Sequence, residues 1–290
     1  MKGSIVALVT PFNVNNEINY FALAKLLQFH LDNKTDGLLL LGTTAEAESL
    51  SLEEKYNLVQ YCLNFVNNKI EIMVGIIANT PQDTIKLAQR FKDLKFKYYL
   101  ISCPYYIKSN ESGLLKHFNY IADRCDKPVI IYNVPKRTNI QLSFDLVRKL
   151  AYHPNIAGIK EASGDLSYMS EISSICNDKF ILYGGDDETM LPALALGAKG
   201  IITVLGNAYP KEVKEVISNF NNDIEKSRNI YFKMLNICRD LYFEPSPIGI
   251  KYYLYLLGFD TIKLRMPLDE ASFELKRTLE LDIYNYHKND

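Results

Sequence analysis

Asn155–Ser163, N-I-A-G-I-K-E-A-S, sets a single lysine at the end of an otherwise apolar run. Isoleucines on both sides of a glycine read as a buried strand, and period-2 alternation puts Ile156, Gly158 and Lys160 on one face. A lysine so placed meets little water. Desolvation disfavours its charged form, and a neutral amine can attack a carbonyl to form a Schiff base. The same stretch also suits a plainer lysine that snorkels to solvent or pairs with a carboxylate.

On either side of this run, similar ones recur: Ser4–Thr10, Gly37–Thr43, Ile70–Ala78, Tyr98–Pro104, Pro128–Pro135, Phe180–Asp186 and Gly200–Asn207. They are mostly apolar rather than alternating, as strands are when helices cover the sheet. Helix signals fall between them. Ser51-Leu52-Glu53-Glu54 is a capping box, Thr80-Pro81 offers an N-cap with proline at the first helical position, Ser143 caps Phe144–Leu150, and Pro210 opens a helix through Phe220. Eight strand candidates at spacings of roughly 20 to 35 residues are the repeat of an α/β fold, the (β/α)8 TIM barrel. No G-x-G-x-x-G or Walker motif follows the first strand, so a doubly wound sheet fits less well. After Phe220 the pattern turns helical: Ile224–Leu241, Ser246–Leu257 and Leu268–Tyr286. The organisation expected is a barrel over 1–220 and a C-terminal accessory helical layer over 221–290 packed on it.

The totals narrow the functions. The chain has 290 residues, 48% hydrophobic and 23% charged, with a net charge of −1, enough for a sizeable core. No long basic run or basic-aromatic interleave is present, which disfavours nucleic acid and anionic membrane and favours a small-molecule substrate. The amino-terminal apolar segment is broken by Pro11, and no run reaches membrane-spanning length. Cys62, Cys103, Cys125, Cys176 and Cys238 are odd in number and scattered, which suits a reducing cytoplasm. His30, His117, His153 and His287 match no zinc-ligand spacing and read as ordinary helix or loop residues, so no metal is expected.

In a barrel of this kind the reacting groups gather at the carboxyl ends of the strands. There the sequence places Thr10-Pro11, Gly42-Thr43-Thr44, Tyr105-Tyr106, Tyr132-Asn133, Lys160-Glu161 and Gly185-Asp186-Asp187. Each alone has an everyday role, as helix cap, core tyrosine or turn. Together they converge on one rim beside a lysine.

These residues sit in stretches that, in order, read G-S-I-V-A-L-V-T-P-F, G-T-T-A-E-A, C-P-Y-Y, Y-N-V-P-K-R-T, G-I-K-E-A-S, G-G-D-D, E-P-S-P-I-G-I-K and L-R-M-P-L. By them the chain resembles the dihydrodipicolinate synthase and N-acetylneuraminate lyase superfamily of class I pyruvate aldolases, most closely its dihydrodipicolinate synthase branch. The resemblance implies that Lys160 condenses with pyruvate and that the enamine attacks L-aspartate 4-semialdehyde, giving 4-hydroxy-tetrahydrodipicolinate for diaminopimelate and lysine biosynthesis. It implies that Tyr132 is the general acid-base and that Thr43 links its hydroxyl to that of Tyr106. Tyr106 would reach the active site of a neighbouring subunit in a homodimer or homotetramer. Thr44 would help to hold the pyruvate carboxylate, Gly185 and Ile202 would line the pocket near the imine, and Arg137 would grip the carboxylate of the aldehyde. The iminium is itself the electron sink, so no cofactor is implied.

Two positions depart from the branch. Ala45 stands where most synthases have glycine and Ala47 where they have serine; if the first needs a positive φ, alanine there costs on the order of 1 kcal/mol and shifts the loop. The lysine-feedback pocket of some members is matched in kind by Asn79, Asp83 and Tyr105 but not by Glu48, Leu52 and Lys55. Lys55 would repel a cationic effector, so weak or absent inhibition by lysine is expected. Two rival readings are another pyruvate aldolase, for sialic acid or a 2-keto-3-deoxy sugar acid, and a non-catalytic keto-acid-binding barrel. The last should lack one of Lys160, Tyr132, Tyr106 and Thr43, and all are present.

Overall fold

The computed structural model describes residues 1–288, the His287 side chain excepted. The reading of His287, and residues 289 and 290 of the expected extension, lie outside the described residues. The eight apolar runs form strands β1 (Gly3–Ala7), β2 (Gly37–Leu40), β3 (Glu71–Gly75), β4 (Tyr98–Ser102), β5 (Val129–Asn133), β6 (Ile156–Glu161), β7 (Ile181–Gly184) and β8 (Gly200–Thr203). They pair in sequence order as a closed barrel. The seam is parallel like the rest, Ile5 lying beside Gly37 on one side and Ile202 on the other. Helices between the strands cover the barrel, which is why the strands are buried on both faces.

Closure is fixed beyond the ladder by Asn207. Its side chain accepts from Val9 N at 3.1 Å and donates to Ala7 O at 2.8 Å, joining the carboxyl end of β1 to the turn after β8. Buried polar groups satisfied in this way hold a geometry that apolar contact alone leaves loose.

The helix starts follow local chemistry. Ser51 and Glu54 form a reciprocal capping box, and the Thr80 and Ser143 side chains accept from Asp83 N and Leu146 N. Pro210 is the first residue of its helix. Past residue 220 come helices Ile224–Asp240, Ile248–Leu256 and Phe273–Lys288. The last begins later than expected, because Ser272 caps it by accepting from Leu275 N at 3.2 Å.

One expectation is corrected here. The register of β5 and β6 shifts between Val129 and Ile130, so that Ile156 pairs with Val129 while Gly158 pairs with Ile130. The extra residue is a β-bulge, and alternation from Ile156 does not carry through to Lys160. From Gly158 onward it is regular, with Tyr132 beside Lys160 and Asn133 beside Glu161.

Candidate active site

Lys160 and Tyr132 occupy neighbouring strands at the same level. The lysine is 5% exposed, and its Nζ lies 4.3 Å from the centroid of the Tyr132 ring. On the other side Gly185, just past β7, abuts the lysine stem: a β-carbon built there would sit 2.8 Å from Lys160 Cε and 2.9 Å from Glu161 O. Only glycine permits that approach. Among the described residues no carboxylate pairs with the amine. Burial rules out snorkelling, and the missing counter-charge rules out a structural ion pair.

The next residue turns away from the amine and braces the rim. Glu161 is fully buried and accepts from Asn133 Nδ2 and from Ser163 N, both at 2.6 Å. Burial pushes its carboxyl up, and those hydrogen bonds act against the shift. Asn133 Oδ1 in turn accepts from Leu142 N at 3.2 Å, so the ends of β5 and β6 and the following loop move together. Asp187 does the same beyond β7, accepting from Val204 N and Leu205 N at 3.0 Å each.

Above Lys160 opens a cavity of about 520 Å³ whose walls include Thr43, Thr44, Tyr132, Arg137 and Gly185. Thr43 and Thr44 lie in a short 3-10 turn, Thr43–Ala45. Arg137 stands at the mouth, its Nη2 donating to Ser246 O at 2.9 Å. Ile202 is not brought to this wall; it is buried inside the barrel, and Val204, two residues on, lines the cavity instead. Tyr106 is 96% exposed, with φ 68°, and lines neither this cavity nor its neighbour. That second cavity, about 360 Å³, shares Thr43, Tyr132 and Arg137 with the first. A single chain thus brings Thr43 and Tyr132 to one space and leaves Tyr106 outside it.

The concern over Ala45 falls away. Ala45 is not among the residues with positive φ; the left-handed position is the next one, Glu46, at φ 52°. The lysine cradle is changed more than expected, since Lys55 is 3.6 Å from Glu48 and Tyr105 donates its hydroxyl to the same carboxylate at 2.8 Å.

Of the outer wall, sequence reasoning placed Asp186 on the rim but missed Lys136, Glu188 and Glu244. Burial raises the Asp186 carboxyl, opposed by the Glu188 N–H and then by the Lys136 ammonium. It also missed the buried Glu46–Lys251 pair and the half-buried Arg265 beside it, behind the Thr43–Ala45 turn. A signal for it was present, for Lys251 is the lone charge in I-G-I-K-Y-Y-L-Y-L and so demands a partner.

An amine sheltered at the floor of a cavity, a phenol beside it, hydroxyls on one wall and a guanidinium at the mouth suit carbonyl condensation with proton transfer and carboxylate binding. The family model described as the dihydrodipicolinate synthetase family matches residues 1–285. A 4-hydroxy-tetrahydrodipicolinate synthase of Clostridium perfringens is 37% identical over 270 residues, 93% of this chain and 92% of the relative. The crystal structure of dihydrodipicolinate synthase from Aquifex aeolicus superposes with a TM-score of 0.95 at 36% identity, covering 99% of this chain and 98% of the other. The dihydrodipicolinate synthase of Acinetobacter baumannii, solved in complex with pyruvate, superposes with a TM-score of 0.96 at 34% identity over 99% of each chain.

Proposed function

We infer from one premise, that this chain belongs to the dihydrodipicolinate synthetase family, that it is a lyase of the class I aldolase type. It condenses pyruvate with L-aspartate 4-semialdehyde to give 4-hydroxy-tetrahydrodipicolinate. The observation that carries the reading is a buried, unpaired amine at the floor of a cavity wide enough for a small keto acid.

In the proposed sequence the Lys160 amine adds to the pyruvate carbonyl carbon, and loss of water leaves an iminium. A methyl proton is then lost to give the enamine, whose carbon attacks the aldehyde. The aldehyde oxygen takes up a proton and becomes the hydroxyl of the product. The amino group of the second substrate closes the ring onto the iminium carbon and releases Lys160. Tyr132 moves the protons, with Thr43 passing them on, because a phenol shared through a relay transfers them more readily than an isolated one. Thr44 holds the pyruvate carboxylate and Arg137 that of the aldehyde, Gly185 and Val204 shaping the space near the imine. No cofactor takes part, the protonated imine being the electron sink.

The chain works as a homodimer or homotetramer in this reading, with Tyr106 completing the relay in a neighbouring active site. Supporting it, Tyr106 and Ile107 are exposed side by side, and the second cavity opens beside Thr43. Free cysteines suit the cytoplasm, and among the described residues no helix is long and apolar enough to cross a membrane. The Lys55–Glu48 pair favours weak or absent inhibition by lysine, and half-inhibition at submillimolar lysine would refute that.

Turnover with a panel of aldehydes tests the reaction. Pyruvate consumption should depend on aspartate semialdehyde; a preference for N-acetylmannosamine or glyceraldehyde would assign another aldolase of the superfamily.

A further inference from the structure

Glu46 joins two short 3-10 turns, Thr43–Ala45 and Ala47–Ser49, in a left-handed conformation that a residue with a β-carbon adopts at a cost. Its carboxylate carries a second cost, because it is buried as one half of an ion pair, with Lys251 Nζ 2.7 Å from Oε1 and side chains 2% and 0% exposed. A buried pair of this kind adds little stability over apolar residues of the same volume. Two unfavourable features at the residue after Thr43-Thr44-Ala45 therefore ask for a return other than stability.

The contacts show where that return lies. Both carboxylate oxygens are engaged, Oε2 accepting from Arg265 N at 2.9 Å. Lys251 also donates to Lys263 O, and Lys251 Nζ and Arg265 Cζ each sit 4.4 Å from the centre of the Phe12 ring. The Arg265 guanidinium donates to Ser49 O at 2.9 Å and pairs with Glu54, the residue that closes the capping box of the next helix. From below, Thr10 Oγ1 donates to Ala45 O at 2.8 Å. The carboxyl end of the turn bearing Thr43 and Thr44 is thus gripped from outside, by Thr10 after the first strand and by the helix and the irregular segment that follow the barrel.

We propose that Glu46 is a positioning residue for the reaction, held by Lys251 and Arg265 so that the turn presents Thr43 and Thr44 to the cavity above Lys160. The inference rests on the roles assigned to those two threonines under the proposed function. It makes the C-terminal layer part of the catalytic apparatus without any of its residues touching substrate.

The test is the double variant Glu46→Gln, Lys251→Met, which removes both charges and keeps the volumes close. Melting temperature, amide hydrogen exchange over residues 43–49, and the separate kcat and KM for pyruvate are measured on the full chain. The expected result is a melting temperature held within a few degrees, exchange in the turn accelerated about 10-fold or more, kcat lowered about 10-fold and KM for pyruvate raised, all relative to native protein. Unchanged exchange, or faster exchange with unchanged kcat and KM, overturns the proposal. If the double variant does not fold, Glu46→Asp carries the test: it keeps the charge and shortens the arm, so kcat should fall about threefold at constant melting temperature, and an unchanged kcat overturns the proposal. Borohydride trapping of pyruvate on native protein separates the two layers. Failure there removes the underlying reaction whatever the variants do, whereas success there with unaltered variants removes only the role of Glu46.

Discussion

Two lysines are buried among the described residues, and they lie in opposite circumstances. Lys251 is sealed between a carboxylate, a backbone carbonyl and an aromatic ring. Burial brings its amine down to about 8, and Glu46 acts against that shift. Lys160 is nearly as buried but faces a cavity, touches the Tyr132 ring and has no carboxylate partner among the described residues. The comparison teaches that burial alone does not mark a reactive amine. A nucleophile needs burial together with room for a reactant and without a counter-charge to occupy its donors.

Short of removing an amine, the change that strikes the reactive side of this contrast hardest is Tyr132→Phe. Turnover should drop by about 100-fold or more, the scale of lost general acid-base catalysis, with the fold retained. A variant of near-normal kcat would take Tyr132 out of the mechanism. Gly185→Ala comes next. The added methyl meets Lys160 Cε at 2.8 Å and Glu161 O at 2.9 Å, and the backbone cannot give way cheaply. A displaced amine should cost roughly 10- to 100-fold in kcat/KM; equal activity would mean that the stem is free to move aside. The smallest effect belongs to the structural side. Hydrogen bonds from Arg265 hold the Glu54 carboxyl down at about 2. Its stabilising contribution is therefore full above its ordinary value of 4.5 and fades as the pH falls toward about 2. In Glu54→Gln the deficit in melting temperature should shrink as the pH is lowered through that window, and a deficit independent of pH would show that the ion pair contributes nothing to it.

The same contrast explains what could be read from the chain. Strands buried on both faces write themselves as continuous apolar runs, so all eight barrel strands stand out, and Ser51, Thr80 and Ser143 mark helix starts because capping is a matter of three or four residues. Strand ends are less legible: β2 stops at Leu40 rather than Thr43, since the turn after it satisfies its backbone without a neighbouring strand. The bulge at the start of β6 left no trace in the alternation of isoleucines. Lys160, Tyr132, Thr43 and Arg137 lie in stretches distinctive enough to be picked out, and all four line one cavity. The supports of Glu46 were out of reach for a simple reason, as its partners Lys251 and Arg265 lie 205 and 219 residues further on. No local pattern encodes a pairing at that separation; only closure of the barrel brings the partners together.

The most direct measurement is incubation with pyruvate and sodium borohydride, followed by intact mass and peptide mapping, on native protein, Lys160→Ala and Lys251→Met. Reduction should fix one pyruvate per chain on Lys160 in the native protein and in Lys251→Met, and none in Lys160→Ala. An adduct that persists in Lys160→Ala, or its absence from the native protein, would contradict the assignment of the unpaired buried amine as the nucleophile.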